Sequence, residues 1–590
     1  MLGSLLNRIR IRASTPRCEA AVTSVPMRLS AFVAVLLFTL ACNPAGPEEA
    51  GRNGPAGSSG GTSPQKKTLT IAYGRAITHI GPMEGGVAEF REIAQAGLLA
   101  LDPVSNRVLP RLAEEVPSTE RGTLTFMPDG RLQTRFTLKP NLAWQDGTPF
   151  SANDIALGYT VQADPGFPQR SSRTAGLVER MEVPDDRTLV ITWSSPTRLA
   201  LRAFTNTFWP MPRHIVGPLY TPGNLDPLIN TPYWTRDFVG MGAYKVQQWV
   251  EGSQVEFAAN DLYVMGRPKI DTIVWRLVTD STTGLASVLA GDLDVTLSGL
   301  LEFDAALVAK DRWESKGSGT VLMTPANWRW VNLMPTNPLL ADIPVRRAML
   351  HAVDRDAMSR DLFQGQQQVA DIWVSPRRPQ FPTVQAAITK YEYSPQRAEQ
   401  LFQDAGWRKG SDGVLLNGRG ERFVIDGRVA GAGELLQVQQ ATVDYWRRVG
   451  VQTDINNISP ELDVSPEYRN QWTGAYWASI NLVLEDLRNS LHSQLAPRPE
   501  NRFAGSNRGR WMNPRADQLL DEMNMTLDDA VWDRDLIEVA RLWTGELPHL
   551  PLYYINEVIT YGKGITGVGP RSETGSDNAV TWNIHEWDRA

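Results

Sequence analysis

The stretch Arg131 to Thr160, RLQTRFTLKPNLAWQDGTPFSANDIALGYT, holds a strand, a turn and a helix start in immediate succession, and no other segment restricts the fold as tightly. Leu132, Thr134, Phe136 and Leu138 alternate as one face of a strand, and Pro140 ends it. Asp146-Gly147 is a strong turn signal in the loop that follows. Ser151 and Asp154 have the spacing of a capping box ahead of the helix IALGYT. Each polar residue thus has a local structural task. Asp146 is expected to be a turn residue and not a reagent, because nothing nearby offers a second acid or a histidine to work with it.

The same alternation of signals continues along the chain without a detectable repeat. Leu69–Tyr73, Arg187–Trp193 and Asp271–Val278 carry large apolar residues in strand patterns. Val345, Ala348, Met349, Ala352 and Val353 form a helical stripe, with Asp342 as N-cap and Pro344 in the first turn. Ser394, Pro395 and Gly406 punctuate another helix, and Trp532, Leu536, Val539 and Trp543 mark a late one. These are the signals of an α/β or α+β protein. At 590 residues it is too long for one hydrophobic core, so two to four structural units are expected.

Charge argues against a nucleic-acid partner, since 59 Lys+Arg against 65 Asp+Glu leave a net charge of only −6. The 19 tryptophans suit cores and equally suit a pocket that stacks on its ligand. Enzyme signatures are missing: the six histidines form no HExxH pair, and no GxxxxGK[ST] loop exists. His351 lies beside the apolar stripe of its helix and is expected to be solvated. No metal or cofactor is expected.

The first 41 residues carry Arg8, Arg10, Arg12, Arg17 and Arg28 before the apolar run Ala31–Ala41, which reads as an export signal too short to span a membrane. Translation from Met1 or from Met27 would both supply it. TLAC, Thr39 to Cys42, resembles a bacterial lipobox, in which Cys42 becomes the lipidated first residue; a plain secretory signal is the alternative. Cys18 and Cys42 are the only cysteines, so the mature domain could form no internal disulfide. Residues 42–66 are rich in Gly, Pro and small polar residues and read as a flexible tether. A GxSxG match at Gly57–Gly61 falls in that tether, which supplies neither the strand nor the helix a nucleophile elbow needs.

Five segments in order resemble the family 5 extracellular solute-binding proteins of ABC importers, which include oligopeptide, dipeptide and nickel binders. FTLKPNLAWQDGTPFSANDI is similar to the family's strand, W-x-D-G-x-P turn and helix start. GMGAYKVQQW, LASVLAGDLDVTL, VNLMPTNPLLADIPVRRAMLHAVDRDAM and YSPQRAEQLFQDAGW resemble its later landmarks, although Met241 and Ala243 stand where the family has threonine and proline.

The resemblance implies a two-lobed periplasmic-binding-protein fold of class α/β, with an inserted subdomain, two hinge strands and a cleft between the lobes. Lobe I would comprise residues 67–108, 237–327 and 550–590, the insertion 109–236, and lobe II 328–549, with hinges near Thr324–Trp330 and Pro548–Tyr553. A solute such as a peptide would be held by closure and handed unchanged to an ABC permease. A sugar or a metal chelate is an alternative, as are a sensory binder and a secreted hydrolase. The expected state is a monomer, lipid-anchored outside the cytoplasmic membrane.

Candidate ligand contacts are Tyr73 at a strand end, Trp328 and Trp330 where the chain crosses between lobes, Trp373, and the pair Tyr476 and Trp477. Hinge-packing core is the alternative reading for Trp328 and Trp330. Peptide-binding members carry an aspartate soon after the aromatic matching Trp477, where it meets the peptide's amino group. Here Ala478, Ser479, Ile480 and Asn481 fill those places, with Glu485 and Asp486 later.

Overall fold

Two long strands organise the folded part of the chain, in a computed structural model that describes residues 66–590 apart from 84–85, 169–174, 207, 432, 464, 481–483, 485–486, 504 and 571–578. The export signal, Cys42, most of the tether, Asn481, Glu485 and Asp486 lie outside the described residues.

In chain order, β1 (Thr68–Tyr73) and α1 (Ala88–Ala94) come first. β2 (Leu124–Phe126), β3 (Leu132–Thr137), α2 (Ala152–Ala163), β4 (Val178–Asp185), β5 (Thr188–Trp193) and α3 (Leu199–Asn206) fall within residues 109–236, the segment expected as an insertion. Then come β6 (Tyr244–Val250), β7 (Gln254–Ala259), β8 (Thr272–Leu277), α4 (Ser281–Ala290) and β9 (Val295–Thr296). The first long strand, β10 (Gly319–Leu333), leads into α5 (Ile343–His351), α6 (Arg355–Phe363) and α7 (Pro395–Asp404). β11 (Val424–Ala430), α8 (Glu434–Arg448), β12 (Gln452–Ile458) and β13 (Ala475–Ile480) make a parallel unit. α9 (Pro514–Met525) and α10 (Asp529–Glu546) precede the second long strand, β14 (His549–Gly562).

One sheet of ten strands runs in the order β12-β11-β13-β10-β14-β9-β1-β8-β7-β6, and β2-β3-β5-β4 form a separate four-stranded sheet. The antiparallel pair β10–β14 is common to both halves of the large sheet. Gly319–Met323 pair with Val558–Gly562 beside β9, whereas Asn327–Asn332 pair with His549–Ile555 beside β13. The register slips between Pro325 and Asn327, opposite Ile555 and Asn556. That level is where both strands cross from one half to the other. A second slip, between Arg329 and Trp330 opposite Tyr553 and Pro551, falls within the hinge segments expected from sequence.

Each half has its own core. Leu69, Ile71, Phe90 and Ile273 of the first half share one cluster with Leu132, Phe136, Trp144 and Trp193 of the insertion. In the second half strand alternation splits the core by face. Val331, Val429 and Trp477 pack under α5 and α8, while Trp328 and Trp330 pack under α9 and α10. No helix among the described residues is long and apolar enough to cross a membrane.

The WQDG turn forms as expected. Gly147, at φ 87°, donates its N–H to the Trp144 carbonyl at 2.8 Å, and Asp146 Oδ1 accepts from Thr148 N at 2.9 Å. The Ser151 N–H donates to Asp154 Oδ2 at 2.8 Å, starting α2. Buried Gln145 gives its amide to the carbonyls of Ala94, Gly242 and Tyr244 and accepts from Gly240 N at 3.0 Å. Two sequence landmarks a hundred residues apart are thereby tied together. The fold also supplies the partner that local sequence lacked, since His214 Nε2 lies 2.7 Å from Asp146 Oδ2. Burial opposes ionisation of Asp146, but the Thr148 N–H and His214 outweigh it and hold the carboxyl below its ordinary range.

Candidate functional site

Strand direction locates the crevice. β9 is antiparallel to β14, and β1 and β8 are parallel to β9, so their carboxyl ends point toward the crossing level from one side. β11 and β13 are parallel to each other, and β13 ends opposite Trp328, pointing toward the same level from the other side. Two sets of strand carboxyl ends therefore face one another across Asn327 and Ile555, the place where open α/β sheets bind ligands.

From the first half, Tyr73 ends β1. Its hydroxyl accepts from exposed Arg75, Nη2 at 2.8 Å and Nε at 3.2 Å. Behind it the loops after β1 and β9 touch so closely that a Cβ on Gly74 would sit 2.3 Å from the Gly299 carbonyl oxygen. From the second half, α8 begins at the carboxyl end of β11, and its first residue is Glu434. Glu434 Oε1 accepts from Tyr553 Oη at 2.7 Å and from Arg329 Nη2 at 3.2 Å, while Arg329 Nε also reaches Tyr553 Oη at 3.3 Å. The Arg329 side chain is 10% exposed and that of Glu434 is 30%, so the pair has a buried cation and an accessible carboxylate. Its other oxygen makes no hydrogen bond among the described residues. Sequence reading missed Glu434, because only pairing of β10 with β14 brings residues 329, 434 and 553 together.

The loop after α6 braces the crossing itself. Asn556 N donates to Gln367 Oε1 at 2.9 Å, Asn556 Nδ2 donates to the Gln366 carbonyl at 2.8 Å, and Tyr554 N donates to the Gln368 carbonyl at 2.8 Å. Farther out, Arg198 joins the two halves. Its guanidinium donates to the Thr526 carbonyl at 3.0 Å and to Asp529 at 2.8 Å, and lies 5.3 Å from the ring centre of Trp532.

The aromatic candidates separate into three environments. Trp328 and Trp330 lie on one face, as alternation requires, with ring centres 4.5 Å apart, and are 2% and 4% exposed. Trp373 joins them through Trp543, and His549 stacks between Trp330 at 4.5 Å and Trp543 at 5.9 Å. Among the described residues none of these four indole N–H groups meets an acceptor, nor does His549 Nδ1 meet a partner. Burial, then the charge of Arg346, push the imidazole down to about 3. Tyr476 faces the same side as Asn332, packs on Trp472 and donates its hydroxyl to Asp463. Trp477 is on the opposite face, fully buried against Trp446 with its N–H toward Thr442 Oγ1. Adjacent strand residues cannot share a face, so this pair does not line one surface. His351, expected to be solvated, is half-buried with Nδ1 2.7 Å from the Glu392 carbonyl oxygen.

No cluster of metal-ligating side chains occurs among the described residues. Residues 107–500, well over half of the chain, match the profile of bacterial extracellular solute-binding proteins, family 5 Middle. A Brucella ovis protein provisionally named an ABC transporter peptide-binding protein is 26% identical over 279 residues, covering 47% of this chain and 50% of the relative. The chain thus matches about half the length of that relative. An oligopeptide-binding protein from Thermus thermophilus, solved with a pentapeptide, is 24% identical with a TM-score of 0.69, over 89% of this chain and 97% of that one. NikA from Brucella suis, solved with Fe(III)-EDTA, is 16% identical with a TM-score of 0.71, over 89% of this chain and 100% of that one. Both share the two-lobed α/β fold. The profile match, together with crossing strands and facing carboxyl ends, places this chain in the family 5 extracellular solute-binding proteins, a group of transport proteins that bind substrate and not a class of enzymes.

Proposed function

We propose that this protein is the solute-capturing component of an ABC importer, holding a peptide or similar small solute in the crevice and passing it unaltered to a permease. The observation that carries this reading is the pair of long strands common to both halves, whose register slips at Pro325–Asn327 and again at Arg329–Trp330, as a double hinge beneath the crevice would need. A ligand touching both halves binds the shut form better and shifts the population toward it. Similarity to proteins solved with a pentapeptide and with a metal chelate supports the same task.

Tyr73 and Arg75 contact the ligand from the first lobe and Glu434 from the second. The unengaged oxygen of Glu434 receives an N–H or ammonium of the solute, the task for which the positions after Trp477 offer no carboxylate at 478 or 479. Trp328, Trp330 and Trp373 act from behind as rigid support, and Tyr476 and Trp477 hold the second lobe together. Cys42 carries the lipid, residues 42–66 tether the domain, and the protein works as a monomer outside the cytoplasmic membrane, without catalysis.

Titration calorimetry with pentapeptides, their N-acetylated forms, oligosaccharides and Fe(III)-EDTA tests this, with the solute recovered for mass spectrometry. Peptide binding that is weakened by acetylation and by Glu434→Gln, with the peptide recovered intact, is expected. A tight solute raises the melting temperature through about 2.7 kcal/mol at a hundredfold excess over Kd. Chelate binding insensitive to Glu434→Gln would overturn the role of Glu434, and consumption of any solute would overturn the transport reading.

A further inference from the structure

At the end of β10 remote from the crossing, the second lobe has a half-open recess of about 440 Å³ whose walls include Arg346, Arg498, Arg510, Trp511, Met512 and Glu546. Pro335, also at its edge, is eight residues beyond Asn327, which at about 3.3 Å per residue puts the recess on the order of 26 Å from the hinge. It is separate from the crevice, and its wall at Gly509 packs against His549 behind Trp330.

Its charge is unbalanced. Arg346 is 8% exposed, yet its Nε meets no partner and its guanidinium makes no hydrogen bond or ion pair among the described residues. Arginine cannot shed its proton in a protein, so the charge stays, and a buried cation that nearby acids only partly offset favours a further anion. The carboxylate in the recess is already engaged, Glu546 Oε2 by Trp511 Nε1 at 2.7 Å and Oε1 by Asn513 Nδ2 at 2.7 Å. Burial lowers the proton affinity of Arg346, and Glu546 and Asp342 only partly oppose it. Arg510 repeats the pattern: one Nη donates to the Asn470 carbonyl at 2.8 Å, but its buried Nε has no partner among the described residues. Arg498, at the rim, is held by the Ser493 carbonyl at 3.3 Å and Met512 Sδ at 3.6 Å. Three arginines thus line a recess whose one lining carboxylate is already hydrogen-bonded, with Asp342 the only other acid acting on Arg346.

We propose that this recess is a second ligand site, which takes the oxyanion of a small organic acid on Arg346 and Arg510 and lays its apolar body against Trp511 and Met512. Guanidinium forks match carboxylate and phosphate oxygens in pairs, and the volume exceeds what a bare inorganic ion fills. An acid bound here adds to the partial counter-charge that Glu546 and Asp342 supply.

The test uses the full mature chain in a non-coordinating buffer, titrated with benzoate, benzamide and inorganic phosphate, with arginine Nε–H resonances as the readout. Benzoate is expected to saturate a single site below about 5 mM, with benzamide at least tenfold weaker. Arg510→Gln should weaken benzoate fivefold or more, and Arg346→Gln should abolish it. Phosphate binding lost in the same two variants also supports the oxyanion site. No binding of benzoate or phosphate by wild type at 10 mM or so overturns the proposal. So does binding that ignores both substitutions, or that is lost in Arg75→Gln, which would assign it to the crevice. Arg510 is nearer the rim, so its variant keeps the test decisive if Arg346→Gln fails to fold.

Discussion

His549 gives the sharpest test of the packing. The imidazole is stacked between Trp330 and Trp543, is 3% exposed, and has a Gly509 so close that a Cβ there would sit 2.7 Å from Cε1 and 2.8 Å from Nε2. With Arg346 also near, its folded pKa is about 3 against 6.5 for the free side chain. The folded pKa is depressed because the neutral ring is the buried form. The unfolded chain therefore binds the extra proton below pH 6.5, and stability is lost as pH falls from there toward 3. Between pH 7 and pH 4 the loss comes to roughly 3 kcal/mol, which for a unit of roughly 500 residues is about 3 °C in melting temperature. His549→Phe keeps the stacking and removes the titration. Melting temperatures of both proteins at pH 7, 5.5 and 4 should show the wild type losing about 3 °C relative to the variant, since all other titrating groups cancel in the difference. A difference that stays flat with pH, or a wild-type His549 resonance titrating near 6.5, would refute the reasoning.

Glu434→Ala leaves Arg329 and the Tyr553 hydroxyl buried without their acceptor and should cost roughly 3 kcal/mol in urea unfolding, with Glu434→Gln costing less. Arg198→Ala removes a carbonyl hydrogen bond and a cation–π contact between the halves; its ion pair with Asp529, 89% exposed, adds little. The closed population should then fall about tenfold, read as weaker solute binding and a larger radius of gyration by X-ray scattering at sub-saturating ligand; unchanged affinity would remove Arg198 as an inter-lobe clasp. Gly74→Ala forces the loops after β1 and β9 apart, and should destabilise by about 1–3 kcal/mol in the first lobe while leaving the His549 pH response intact.

Sequence by itself determined the local pieces. The strand before Pro140, the Asp-Gly turn and the Ser151–Asp154 cap were legible because each is fixed by neighbours within a few residues. So were the start of α7, where Ser394 Oγ accepts from Arg397 N, and the left-handed Gly406. Alternation alone also put Trp328 and Trp330 on one face. What it could not supply was which face meets what. The same alternation that paired those tryptophans separated Tyr476 from Trp477, and burial under α8 made the latter core. His214 reached Asp146 across 68 residues, and Arg329, Glu434 and Tyr553 met only once two strands more than 200 residues apart in sequence had paired. Local signals act through hydrogen bonds and dihedral preferences a few residues long. The crevice, the clasp and the arginine recess depend on long-range register, a property of the assembled sheet that no short stretch of chain contains.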